Sequence, residues 1–219
     1  MKLLSVETSS PVFSVAVSEG PRLLVFRQEE GQGRPSLLLA DLIQEALQEA
    51  RWDLAELDGF AVSIGPGSFT GLRIGAMTVK TLAWSVSKPV LPVSSLEVVA
   101  RNLADSVLPV VPFLDAWKGN VYMASFIPDG RGSLRRAGPD EFLSPEEALR
   151  RFEGPALLVG NGLKKYAEKV RSLAPAGVEQ APPESWVPRA DRLCRIAASR
   201  WPAGLVDDPH RLVPQYLYP

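Results

Sequence analysis

Gly65-Pro66-Gly67-Ser68-Phe69-Thr70-Gly71-Leu72-Arg73-Ile74-Gly75 is the stretch around which the rest of the chain can be ordered. It follows an apolar run at residues 60–64 that reads as a buried strand, and it opens a helical pattern reaching about residue 86. Gly65, Gly67 and Gly71 supply turn conformations that other residues adopt only at a cost, and Ser68 or Thr70 can cap the helix. A phosphate loop of the Walker kind needs Gly-Lys-Ser/Thr at its end, whereas Gly71 is followed by Leu72-Arg73. A nucleophile elbow needs Gly-x-Ser-x-Gly, and Ser68 has Gly67 directly before it. Gly71 and Gly75, four apart, share one helix face, with Leu72, Met77, Val79 and Leu82 available for apolar contacts. That face either packs on the chain's own sheet or receives another helix.

Upstream, residues 3–6, 12–17 and 23–26 are rich in β-branched and apolar side chains and are separated by Ser-Ser-Pro and Glu-Gly-Pro turns. They predict three antiparallel strands. After Pro35, the spacing of Leu39, Leu42, Ile43, Ala46, Leu47 and Ala50 predicts a first helix with Ser36 as N-cap. Asp53 and Glu56 have capping-box spacing for a short helical turn. Downstream the plan repeats. Residues 110–114 form an apolar run that ends at Asp115, as 3–6 ends at Glu7, and a further strand is expected over 121–127 before the turn Pro128-Asp129-Gly130. Helices are expected from near Ser144, Leu163 and Arg189, with a short strand at 156–159. The predicted fold is α/β: two βββ-plus-helix lobes, 1–104 and 105–219, the second carrying a Pro-rich tail. Such duplication of pattern is expected of the actin-like ATPase architecture.

Composition narrows the function classes. A chain of 219 residues that is 46% hydrophobic can bury a core. Its formal charge of −1 gives no overall positive field with which to bind a nucleic acid unaided. Cys194 is the single cysteine, and the first residues alternate with polar positions instead of forming a leader core, which points to the cytoplasm. Apolar runs are broken well short of the roughly 20 residues a membrane span needs.

The run from Gly65 to Gly75 resembles the GPGSFTG(V/L)RIG signature of the TsaB (YeaZ) family at every position: Gly65, Pro66, Gly67, Ser68, Phe69, Thr70, Gly71, Arg73 and Gly75 included. The opening Leu3-Leu4-Ser5-Val6-Glu7-Thr8-Ser9-Ser10 is similar to that family's LAIDTA start, Pro92-Val93-Ser94-Ser95-Leu96 to its GVSTL, and Asp115 to Tyr122 to its DARxGEVY. Val159-Gly160-Asn161-Gly162 and Pro214-Gln215-Tyr216-Leu217 also find counterparts, so the resemblance covers most of the chain. It implies a non-catalytic accessory subunit that activates the paralogue TsaD for threonylcarbamoyl transfer to the adenosine beside the anticodon of tRNA. The implied partners are TsaD, the ATPase TsaE in the assembled complex, a second copy of the chain when alone, and tRNA only through the complex. The implied pairing surface is the first two helices, mapped here onto Leu39, Leu42, Ile43, Ala46, Leu47, Gly71, Leu72, Gly75 and Met77.

No catalytic residue, cofactor or metal site is expected. Metal-binding relatives hold their ion with an HxxxH pair on the first helix, whereas residues 35–39 carry no imidazole and His210 is the one histidine, in a tail beside Asp207 and Asp208. Glu7 and Asp115 sit where phosphate-handling members of the fold keep acids, and are candidates for a vestigial nucleotide cleft. Glu7 replaces the family's shorter Asp, and Pro11 removes one N–H from the turn that follows. Alternatives to the accessory role are a nucleotide-binding regulator and a metallopeptidase-like enzyme. Cys194, between Leu193 and Ile196, reads as packing. Arg73, Lys118, Lys164 and Lys165 read either as solvated charge or as contacts made in a complex. Trp117 and Tyr218 stand where the family has arginine.

Overall fold

The computed structural model describes residues 1–31 and 33–217. The chain opens with strands β1 (Lys2–Glu7), β2 (Val12–Glu19) and β3 (Arg22–Glu30), then helix α1 (Pro35–Ala50), strand β4 (Gly59–Gly65), helix α2 (Phe69–Ser85), strand β5 (Val90–Ser94) and helix α3 (Ser95–Ala100). It continues with β6 (Val110–Asp115), β7 (Val121–Met123), β8 (Phe126–Pro128), β9 (Leu134–Arg136), β10 (Glu141–Leu143), α4 (Pro145–Arg150), β11 (Ala156–Val159), α5 (Gly162–Lys165), α6 (Ala167–Leu173), β12 (Val178–Gln180) and α7 (Ala190–Arg200). Among the described residues no helix is long and apolar enough to cross a membrane.

The first sheet runs β3-β2-β1-β4-β5. β1, β2 and β3 pair antiparallel as predicted, and β4 lies parallel to β1 and β5 because α1 before it and α2 after it each carry the chain back across the sheet. One face packs Leu4, Val6, Val15, Phe60 and Val62 against Leu39, Leu42 and Ala46 of α1 and Ala76, Val79 and Ala83 of α2. α1 starts differently from the sequence expectation: Pro35 is its first residue and Arg34 its N-cap, with no side-chain cap bond, so Ser36 lies within the first turn. Proline takes that place readily because its missing N–H would have no helical partner there. The Asp53–Glu56 capping box is present.

The second sheet follows the path β10-β7-β6-β11-β12, with β8 on β6 and β9 on β8. The strand expected over 121–127 is split into β7 and β8. Register carries through unchanged from Phe113↔Met123 to Val110↔Phe126, which places the break opposite Pro112, a residue with no N–H for the ladder. Ser144 caps α4 reciprocally with Glu147. Strands β9, β10 and β12, three residues each, escape the sequence pattern because they are too short to show alternation.

Two compact units result: Met1–Val98 with Arg189–Gln215, and a second centred on Val99–Pro188. They are not the contiguous 1–104 and 105–219 of the sequence reading. The last helix returns to the first sheet, where Leu193, Ile196 and Ala197 pack with Leu3, Ala61, Leu91 and Val93. Arg200 Nη2 donates to both carboxylate oxygens of Glu97 at 2.7 Å, Ala190 N to Ser14 Oγ at 3.0 Å, and Gln215 N to Ile64 O at 2.7 Å. A helical period reports which face of α7 is apolar and is silent on which sheet it will cover.

Candidate functional site

The glycine run is a seat for the turn that ends β1. Ser68 N donates to Ser9 O at 2.7 Å, and Ser68 Oγ accepts from Gly71 N at 3.2 Å, so that of the two caps the sequence offers, Ser68 and Thr70, it is Ser68 that caps α2. Gly65 has a φ of +120°, which an L side chain rarely adopts. A Cβ on Gly67 would lie less than 3.0 Å from Ser9 O, one on Gly71 the same from Thr8 O, and one on Gly75 the same from Thr8 Oγ1. The residues Thr8 and Ser9 therefore lie against the first turns of α2, where only backbone without a side chain leaves room.

The residues expected at a partner surface are divided between the interior and the outside of the first unit. Gly71, Leu72 and Gly75 are buried against the chain's own first unit, as are Leu39, Leu42, Ile43 and Ala46 of α1, with Leu47 partly buried at the margin of that core. Glycines four apart do report a close approach, but the approaching segment is the β1–β2 turn of the same chain. The outward face of α2 carries Phe69 (44% exposed), Thr70, Arg73, Met77 (59%) and Trp84 (63%), with the Arg73 guanidinium 4.5 Å from the Phe69 ring centre. Met77 alone of the nine named residues lies on that face. Trp84 was missed, although seven residues from Met77 is a spacing that keeps one helix face.

Glu7 ends β1 fully buried. Its Oε1 accepts from Ser9 N at 2.7 Å, while among the described residues Oε2, Thr8 Oγ1 and neighbouring Ser63 Oγ find no hydrogen-bond partner. Burial pushes the carboxyl above its usual range, more than the bonding from Ser9 lowers it. The acid thus orders the Thr8-Ser9 turn on which α2 rests. Thr8 is buried and Pro11 exposed.

In the second unit Asp115 Oδ1 accepts from Lys165 Nζ at 2.7 Å and from Tyr166 Oη at 3.1 Å, and Asp115 N donates to Asn161 Oδ1 at 2.9 Å. The bond from Lys165 to Asp115 raises the lysine's pKa. Trp117, Lys118 and Lys164 are exposed beyond this cluster. Both candidate cleft acids are therefore engaged by neighbours within their own units. His210 lies on the surface with its ring edge-on to Trp84 at 6.5 Å, and Cys194 is buried against Ser5 Oγ at 3.2 Å, where burial raises its thiol pKa. Trp84 and His210 line an open cavity of about 520 Å³ with Lys88, Asp207 and Asp208. Among the described residues no three His, Cys, Asp or Glu side chains come together as a metal site. Tyr218 lies outside the described residues.

The family model described as "TsaD: tRNA N6-adenosine threonylcarbamoyltransferase" matches residues 35–177. The chain is 26% identical to the tRNA threonylcarbamoyladenosine biosynthesis protein TsaB of Bacillus subtilis, covering 99% of this chain and 94% of that one. It superposes on the structure of YeaZ from Pseudomonas aeruginosa with a TM-score of 0.87 at 28% identity, covering 99% of each. At 8% identity, component A of the (R)-2-hydroxyglutaryl-CoA dehydratase of Acidaminococcus fermentans still superposes with a TM-score of 0.52 over 91% of this chain and 98% of its own, a likeness of fold alone. The two-sheet architecture is thus the α/β, actin-like one expected from the repeated pattern. A family match over well over half the chain, together with near full-length TsaB and YeaZ relatives, establishes that this chain belongs to the TsaB/YeaZ family of TsaD-like proteins.

Proposed function

We propose that this chain is a non-catalytic accessory subunit of tRNA threonylcarbamoyladenosine synthesis, which binds and activates a TsaD-type transferase. Support for the pathway comes from relatives named as biosynthesis proteins of that nucleoside and from a family model named for the transferase. One observation carries the binding role: α2 exposes Phe69, Met77 and Trp84 along its outer side while its glycine face is already filled by Thr8. Large apolar side chains aligned on one exposed helix face favour a macromolecular contact. The same strip fits a homodimer when the transferase is absent, since a two-fold contact buries one patch twice. In the assembled complex, which includes TsaE in the cytoplasm, the chemistry belongs to the transferase. Activation then requires that α2 bind the active arrangement of that partner more tightly than the inactive one.

The test is threonylcarbamoyladenosine formation on tRNA in a reconstituted reaction with and without this chain, and with the double variant Met77→Glu, Trp84→Glu. Both residues are exposed, so the variant keeps its fold. Product formation is expected to depend on the chain, and the variant is expected to lose both stimulation and co-elution with the transferase. Full modification without the chain would overturn the accessory role, and undiminished co-elution of the variant would overturn the α2 surface.

A further inference from the structure

We propose that the turn of residues 116–120 is a contact for an unpaired nucleotide of RNA, with Trp117 as its stacking surface and Lys118 and Lys164 as cations for the adjoining phosphates. The turn is closed by Ala116 N donating to Asn120 O at 2.9 Å. The Tyr166 hydroxyl ties down both its ends, reaching Asp115 Oδ1 at 3.1 Å and Asn120 O at 3.3 Å. Between these anchors the tip holds two successive left-handed residues, Lys118 at φ 60° and Gly119 at φ 81°. A lysine held in that conformation is a local conflict that the surrounding structure imposes, as is common where a loop presents side chains for function.

The presented side chains have the chemistry of a single-stranded RNA contact. Trp117 is 67% exposed, and among the described residues its ring makes no aromatic contact and its indole N–H no hydrogen bond. Lys118, and Lys164 next in the chain to the Lys165 that bonds Asp115, are exposed and form no ion pair among the described residues. The nearest acid of the cluster, Asp115, is occupied by Lys165. Glu168, on the following helix, is the other acid of this stretch. An open indole face accepts any base by stacking, and nearby ammonium groups favour the phosphates on either side. With a net charge of −1 the chain has no long-range field to hold RNA by itself, so this contact is short and adds to binding by the whole complex.

The proposal rests on the accessory role in tRNA modification, and its test separates the two. In the complete reconstituted reaction, KM for tRNA and kcat are measured for the wild type, Trp117→Ala, Trp117→Phe and the pair Lys118→Glu, Lys164→Glu, alongside co-elution with the transferase. Trp117→Ala is expected to raise KM for tRNA by about fivefold to tenfold, in line with the loss of one stacked base, with kcat and co-elution unchanged. Trp117→Phe is expected to stay near the wild type. The glutamate pair is expected to raise KM and to flatten its dependence on salt. An unchanged KM in Trp117→Ala overturns the proposal, and so does lost co-elution with an unchanged KM, which would make the turn a protein contact. A reaction indifferent to omission of the whole chain would instead sink the accessory role.

Discussion

Replacing Gly75 by alanine separates a helix seated on its own chain from a helix open to a partner. The new Cβ would lie less than 3.0 Å from Thr8 Oγ1, with Thr8 Cβ at 3.3 Å and Cγ2 at 3.4 Å. Thr8 is fully buried, so its side chain has no open space into which to turn. Alanine in a helix interior gains about 1 kcal/mol over glycine, whereas overpacking a closed site costs about 1–3 kcal/mol. At so short an approach the upper end applies, leaving Gly75→Ala about 2 kcal/mol less stable. In a Thr8→Ala background the obstructing hydroxyl and methyl are gone, and among the described residues Thr8 Oγ1 has no hydrogen bond to lose. There Gly75→Ala should be neutral or stabilising by up to about 1 kcal/mol, a coupling of about 2–3 kcal/mol between the two sites. Gly71→Ala behaves otherwise, because its obstacle is the Thr8 carbonyl oxygen, which no side-chain truncation removes. Urea unfolding followed by far-ultraviolet circular dichroism reads these differences; with a slope of about 2–3 kcal/mol per molar, Gly75→Ala should lower the midpoint by about 1 M. Additive effects of Thr8→Ala and Gly75→Ala would refute the seat, as would a fully stable Gly75→Ala chain that no longer co-elutes with the transferase.

Two further outcomes follow from the same region. Glu7→Gln should leave stability unchanged in acid and make the chain progressively more stable than wild type as the pH rises. The buried carboxyl binds its proton more tightly folded than unfolded, so its contribution is complete below the ordinary value of 4.5 and is lost as pH climbs through the raised folded value. A difference between variant and wild type that does not move with pH would refute it. Ser68→Ala removes the acceptor for Gly71 N and should cost about 1 kcal/mol, read as a lower urea midpoint; an unchanged midpoint would show that the cap contributes nothing.

Elements whose signals lie within a few residues were legible from the chain. The strands of the opening meander, the Asp53–Glu56 box and the Ser68 cap each follow from neighbours in sequence. Where elements were missed or divided, they were too short to show alternation or a proline interrupted the pattern. Pro92 disguises β5, an edge strand that pairs with β4 and, through Val90, bridges to Asp207. Pro112 divides a strand pair whose register is otherwise continuous. The family signature was readable at every position, yet the role of its glycines was not.

That last difference has a simple physical origin. Spacing along a helix establishes that residues 71 and 75 share a side and that their lack of side chains admits something close. What comes close depends on where the turn after β1 is carried by pairing between β1, β2 and β4, contacts between residues far apart in the chain. Periodicity likewise identifies α7 and its apolar side, but its return to the first sheet depends on the space left there beside β1 and β4. Local chemistry was enough for caps, periods and motif; the packing of distant segments settled which faces are spent inside the unit and which, such as Met77, Trp84 and Trp117, remain open to solvent.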